Sequence, residues 1–211
     1  MPLSTEIPLF PLGVVLYPDE RMALHIFEER YKEMIRYCLD QGEPFGIILY
    51  NDGRLADVGC TARIQEVMNQ YEDGRYDLEV RGEMRFRVRT LHEEKVYLTA
   101  EVTPLPESRD RVMQAQRERL ITQHMKLLEL AGRSLQPTQY QGLERISYFI
   151  AHNAGLTLEQ KQEVLEMPGE NARITYLVRH LEAFIPKIEE AEEVRRKVRS
   201  NGHFKDIPPG S

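Results

Sequence analysis

The sequence of 211 residues contains no tryptophan and only two cysteines, Cys38 and Cys60. These form no C-x-x-C pair and nothing motivates a disulfide between them; two separate buried thiols are expected. No apolar run approaches the length needed to span a bilayer. Residues Met1 to Gly13 lack a basic patch followed by an apolar stretch, so no secretory signal is expected and the cytoplasm is the expected address. No two glycines stand five positions apart, which excludes a G-x-x-x-x-G-K-[ST] phosphate loop. The six serines include none in a G-x-S-x-G elbow or a Ser–Lys dyad context. The six histidines (His25, His92, His124, His152, His180, His203) are scattered, with no H-E-x-x-H and no Cys/His cluster. No metal, no cofactor and no catalytic residue is therefore expected, and His124, on an apolar helix stripe, reads as a packed, hydrogen-bonded side chain.

What is present is the balance of a globular protein, 41% hydrophobic and 29% charged. The charge is unevenly placed. Residues 1–105 hold 12 Lys+Arg against 19 Asp+Glu, whereas residues 106–211 hold 16 against 15. A first half carrying seven surplus negative charges is a poor start for neutralising phosphates.

The first half alternates with period two. Leu78, Val80, Met84, Phe86 and Val88 share one parity, and Glu79, Arg81, Glu83, Arg85, Arg87 and Arg89 the other, which predicts a strand with one buried and one wet face. Gly82 marks a bend or bulge within it. Val96, Leu98, Ala100 and Val102 predict a further inward row, as do Val58, Cys60, Ala62 and Ile64 before a phase slip to Val67. Asn51-Asp52-Gly53 and Asp73-Gly74 are hairpin turns. Short strands, tight turns and bulges point to a small, strongly curved sheet or barrel. One helix interrupts it: Phe27, Tyr31, Met34, Ile35, Cys38 and Leu39 form an apolar stripe ended by Gly42, placed to cap one opening.

The second half alternates with period 3.6. Met113, Leu120, Ile121, Leu127, Leu128 and Ala131 line one helix, and Ile174, Leu177, Val178, Leu181, Phe184 and Ile185 another. Capping boxes are read at Thr138/Gln141 and Thr157/Gln160, and Pro168-Gly169 stops the helix between. Pro186 is expected to kink or break the last helix. Pro104-Leu105-Pro106 divides the halves, giving an α+β protein: residues 1–105 a β-barrel with one inserted helix, 106–200 a helical bundle, and 201–211 a flexible tail.

Several segments, in order, resemble the N-terminal substrate-binding domain of Lon proteases. Ile7-Pro8-Leu9-Phe10-Pro11-Leu12, continuing to Pro18, is similar to its opening P-L-x-P-L region. Met22 to Tyr31 looks like its second strand and first helix start, and Val58-Gly59-Cys60-Thr61-Ala62-Arg63-Ile64 like its G-T-x-A-x-I strand. Asp73-Gly74 with Val80-Arg81-Gly82-Glu83-Met84-Arg85-Phe86 resembles its D-G…G-x-x-R segment. The resemblance implies a PUA-like β-barrel followed by a C-terminal α-helical bundle, engaging unfolded or degron-bearing polypeptides and working beside a AAA+ protease. It further implies a stand-alone, non-catalytic module acting as an adaptor in protein quality control.

Peptide capture requires exposed apolar surface or an open sheet edge. Pro18, Phe27, Tyr31 and Tyr50 are the candidates, because they stand near turns or element ends around the barrel mouth. Arg85 and Arg87 are secondary candidates on the basic face of the long strand, set against the reading of a solvated face paired with Glu79, Glu83 or Glu101. The Arg195, Arg196, Lys197 and Arg199 cluster follows Glu189, Glu190, Glu192 and Glu193 at helical spacing, which a stable charged helix explains. RNA binding is the alternative, since PUA-like barrels elsewhere bind RNA, and the acidic first half and missing aromatic-plus-basic platform count against it.

Overall fold

The computed structural model describes residues 6–108 and 111–201, the side chains of 198–201 excepted. Strands β1 (Glu6–Leu12), β2 (Arg21–Ile26), β3 (Phe45–Asn51), β4 (Arg54–Gln70), β5 (Tyr76–His92) and β6 (Thr99–Pro104) make one sheet, with helix α1 (Glu29–Gln41) between β2 and β3. The strand order is β2-β5-β4-β3-β1-β6, and β6 also pairs with β5. This is possible because β5 is 17 residues long and, besides β4, pairs with two further strands along its length. Its Tyr76–Arg81 part pairs with β2 and its Phe86–His92 part with β6. Both expected hairpin turns are present. Asp52 and Gly53 both have positive φ, at 49° and 75°, the backbone that a tight two-residue hairpin demands.

Strand β3 is a nearly continuous apolar run, buried from Phe45 to Leu49, because it has a hydrophobic partner on each face. Ile48 joins Ile7, Leu9, Phe86, Ala100 and Val102 in a small cluster, while Phe45, Ile47 and Leu49 face a larger one that extends into the helices. The Phe86 ring fits because Gly59 and Gly46 lie beside it; a Cβ on Gly59 would meet its Cζ at 2.5 Å. The alternation read in β5 holds for Leu78, Val80 and Phe86, each fully buried. It fails at Val96, which precedes β6 and is 60% exposed. Period two was extended there past the start of the strand.

After β6 come α2 (Gln114–Leu130), a 3₁₀ turn (Pro137–Tyr140), α3 (Ile146–Ala151), α4 (Leu158–Glu166) and α5 (Glu170–Asn201). Thr157 and Gln160 form the expected reciprocal cap. Thr138/Gln141 does not: the cap there is Gln136 with Gln139, and α3 starts only at Ile146. Helix α5 continues through Pro186 rather than breaking. It packs beside α2, with ion pairs Arg119–Glu182 and Lys126–Glu189 on either side of the proline, and that packing offsets the lost backbone hydrogen bond. The charged end is laced as expected by Arg195–Glu192 and Lys197–Glu193. The flexible tail read at 201–211 lies outside the described residues but for Asn201, the last residue of α5.

Arg85 corrects the reading of a wet arginine face. It is 2% exposed and reaches into the helical half, where Nη1 donates to the carbonyls of Leu165 (2.9 Å) and Met167 (2.6 Å) at the end of α4. Those carbonyls have no partner within their own helix, so a cation there caps it. Glu107 in the connecting segment lies 3.3 Å from Arg85 Nε and accepts from Arg173 Nη2 at 2.7 Å. Arg173 is fully buried, lies over the Tyr148 ring at 4.1 Å, and also donates to Glu170 and Ser147. Arg87, two residues further along β5, stays exposed.

Candidate functional site

The groove of about 810 Å³ at one end of the sheet is assembled from four chain segments. The end of β1 supplies Phe10, Pro11 and Leu12; the β2–α1 corner supplies His25 to Tyr31; the β3–β4 hairpin supplies Tyr50, Gly53 and Leu55; the β5–β6 connection supplies Leu91 to Leu98. Phe27, Tyr31 and Tyr50, three of the four sequence candidates, are thus brought together. Their roles differ. Tyr31 is floor, 8% exposed and packed on Phe10 with ring centroids 4.3 Å apart. Phe27 and Tyr50 are rim, 60% and 50% exposed.

Pro18 is parted from them. It is buried in the β1–β2 connection and lines a second cavity, of about 570 Å³, against Leu143, Arg145, Tyr148 and His152 of the helical half. The connection is pinned there by Gly82, whose N–H donates to the Glu20 carbonyl while its carbonyl accepts from Asp19. A Cβ at Gly82 would stand 2.1 Å from the Tyr17 carbonyl oxygen, so only glycine permits that approach. Asp19 bridges Arg81 (2.9 Å) and Arg145 (2.8 Å), and Glu20 meets His152 at 2.5 Å.

Sequence reasoning missed Leu91 and Val96, the other large apolar side chains of the groove rim, at 45% and 60% exposure. The signal was the run Leu91 to Val96 itself, whose Glu-Glu-Lys centre marks a connection rather than a strand. The charged residues around the groove are of both signs, and several have partners. Arg30 donates to Glu28 at 2.7 Å, His25 meets Asp77 at 2.6 Å, and Lys95 lies over the rings of Tyr37 and Tyr97. The Asp77 carboxyl is held below its ordinary range, first by its hydrogen bond with His25 and then by that from Tyr71. The result is an apolar surface without a dominant charge, suited to holding aliphatic and aromatic side chains.

The two thiols are poorly suited to nucleophile chemistry. Cys38 and Cys60 are both free and buried, and burial pushes the Cys38 thiol up to about 12 and Cys60 higher still, which suppresses the reactive thiolate. His124 is fully buried, as its stripe predicted, and meets the Tyr140 hydroxyl at 2.9 Å. Among the described residues, no three His, Cys, Asp or Glu side chains converge as a metal-ligand set, and no helix is long and apolar enough to cross a membrane.

A six-stranded α+β domain with an open apolar groove has the build of a recognition module. Comparison with known proteins defines the family. Residues 6–183 match the family model for the substrate-binding domain of the ATP-dependent protease La (LON), and the chain belongs to that family. It is 24% identical to Lon protease 2 of Syntrophobacter fumaroxidans across 94% of this chain and 27% of that protein. With the Lon protease of Lawsonia intracellularis it shares 26% identity across 85% of this chain and 24% of that one. The chain therefore spans about a quarter of the length of these relatives, and the matched family is the substrate-binding domain. Among solved structures it is similar to a Lon N-terminal domain protein from Xanthomonas campestris, at 26% identity and a TM-score of 0.66 over 82% of this chain and 97% of that one. The N-terminal domain of the Mycobacterium avium complex Lon protease shares the fold, at 18% identity and a TM-score of 0.60 over 85% and 99%.

Proposed function

We propose that this protein binds polypeptide segments with exposed apolar side chains, does not itself cut them, and serves in the cytoplasm as an adaptor that presents them to a AAA+ protease. The observation that carries the reading is the groove rim, where Phe27, Tyr50, Leu91 and Val96 are 45–60% exposed around one concavity. Burying one such side chain contributes about 1.5–3 kcal/mol. Two or three together give a weak, sequence-tolerant grip, suited to unfolded or degron-bearing chains that share no motif. Membership of the Lon substrate-binding family supports the same reading.

In this reading residues 1–105 are a PUA-like barrel carrying the site, and residues 106–200 a helical bundle bracing it. The additional β6–β5 pairing, which brings the strand order back on itself, supports a barrel. Phe27, Tyr31 and Tyr50 contact the peptide, joined by Leu91 and Val96. An RNA reading lacks comparable support, because Arg85 is buried, Arg81 is held by Asp19 and Arg89 by Thr103.

Fluorescence anisotropy against reduced, carboxymethylated α-lactalbumin and its native form tests the binding. At least tenfold preference for the unfolded form is expected. Equal binding to both forms, or none to either, would overturn the reading. The adaptor role is tested by adding the protein to a Lon-type protease degrading the same substrate, where faster degradation is expected.

A further inference from the structure

We infer that the polypeptide is held as an added β-strand along the open edge of β2. This rests on the polypeptide-binding reading and specifies the class of substrate: extended segments, rather than helices or folded surfaces. Strand β2 stands at one end of the strand order, and its recorded pairing is with β5 on one side. A strand edge presents a row of backbone donors and acceptors, which a further strand satisfies and a helix does not.

The usual protections of such an edge are weak here. Strand β2 contains no proline, and its outward row is Arg21, Ala23 and His25, all exposed. The two ionisable members are already engaged within the sheet, Arg21 with Glu79 at 2.9 Å and His25 with Asp77 at 2.6 Å. The middle of the row is a methyl group. An incoming strand therefore meets no unpaired charge on this row.

The cavities supply the second, independent observation. Two concavities lie at opposite ends of this one strand. The seam cavity includes Asp19, Glu20 and Arg21 at its start, and the apolar groove includes His25 and Ile26 at its end, with Phe27 following. Six residues of strand span about 20 Å. A segment of six to eight residues laid along β2 thus reaches both, with an aliphatic or aromatic side chain in the groove and a polar one at the seam. Main-chain hydrogen bonds give the affinity without sequence demand, and the groove gives the preference for apolar residues.

The test uses the full chain and a fluorescein-labelled ten-residue peptide alternating Phe or Val with Thr, together with two versions N-methylated at every second residue in opposite phases. Strand addition uses the N–H groups of one phase only. One methylated peptide is expected to lose at least tenfold in affinity, and the other to stay within about threefold of the parent. Amide hydrogen exchange within Arg21–Ile26 should slow on binding. If both methylated peptides bind like the parent, yet binding still falls with Phe27→Ala, strand addition is overturned and the groove reading stands. If the parent peptide does not bind, both fall. Pre-existing amide protection across β2 together with a dimer in sedimentation that the peptide does not dissolve would assign the edge to a second copy of this chain, and would overturn the proposal.

Discussion

At the seam between sheet and helices, Arg85 and Arg173 are 2% and 0% exposed; at the groove, Phe27 and Val96 are each 60% exposed. Each region thus holds side chains where transfer from water to protein would not by itself place them. The seam tolerates buried charge because every cation there has a carboxylate and several carbonyl or hydroxyl acceptors within reach. Buried ion pairs of this kind contribute little net stability, but removing one partner leaves the others buried and uncompensated. The groove has no such internal partner. Its rim side chains Phe27, Tyr50, Leu91 and Val96 stay largely in contact with water until something enters.

Breaking the seam is the largest perturbation available. Arg85→Ala strips the cap from the carbonyls of Leu165 and Met167 and removes one of the two arginines on Glu107. A loss of about 3–5 kcal/mol is expected, because the partners are left desolvated and unpaired. Urea unfolding measures it. A loss below about 1 kcal/mol would mean that the seam is wet, and the contrast with the groove would dissolve.

A smaller effect separates buried from exposed groups by pH. Burial lowers the His124 pKa to about 4, with the Arg133 charge adding to it. Above pH 6.5 the ring is neutral in both states, so its protonation makes no difference to stability. Between pH 6.5 and 4 only the unfolded chain binds the proton, and acid progressively favours unfolding, by up to about 3 kcal/mol at the lower end. His124→Phe should flatten that part of the stability profile. An unchanged profile would place the acid sensitivity elsewhere.

At the groove the expected signs reverse. Phe27→Ala combined with Val96→Ser should weaken binding of the unfolded probe about tenfold or more, which is about 1.4 kcal/mol. Stability should change by less than about 0.5 kcal/mol, since neither side chain is buried. Destabilisation comparable to that of Arg85→Ala would show that these residues belong to the core and not to a binding rim.

The same contrast governs what could be read in advance. Leu78, Val80 and Phe86 were legible as strand, because the period of two marks the buried parity. Asp52-Gly53 and Asp73-Gly74 were legible because positive φ restricts the residue type. Of the site, Phe27, Tyr31 and Tyr50 were reached from their positions at element ends. Val96 was misassigned because alternation does not mark where a strand begins. Arg85 was misread because its partners lie about eighty residues away, at the end of α4, and a single strand's parity holds no record of them. Pro18 stands near a turn like the others, but only the close approach at Gly82 decides which cavity it lines.

The smallest effect tests whether the seam behaves alike along its length. His152 is half-exposed, and its pKa is raised, first by the hydrogen bond with Glu20, against the lowering effect of desolvation, with the Glu20 charge reinforcing it. A raised folded value stabilises the protein fully below pH 6.5, and that contribution is lost as pH rises through the folded pKa. Solvent screening limits it to under about 1 kcal/mol. His152→Gln should therefore lower stability slightly at pH 6 and leave it unchanged at pH 9. The pH dependence from His124 falls below pH 6.5 and that from His152 above it, so the two variants separate in one pH series. A His152→Gln loss that persists undiminished at pH 9 would assign the contact to packing rather than to charge. It would also make the exposed mouth of the seam resemble its buried centre, where geometry rather than protonation holds sheet to helices.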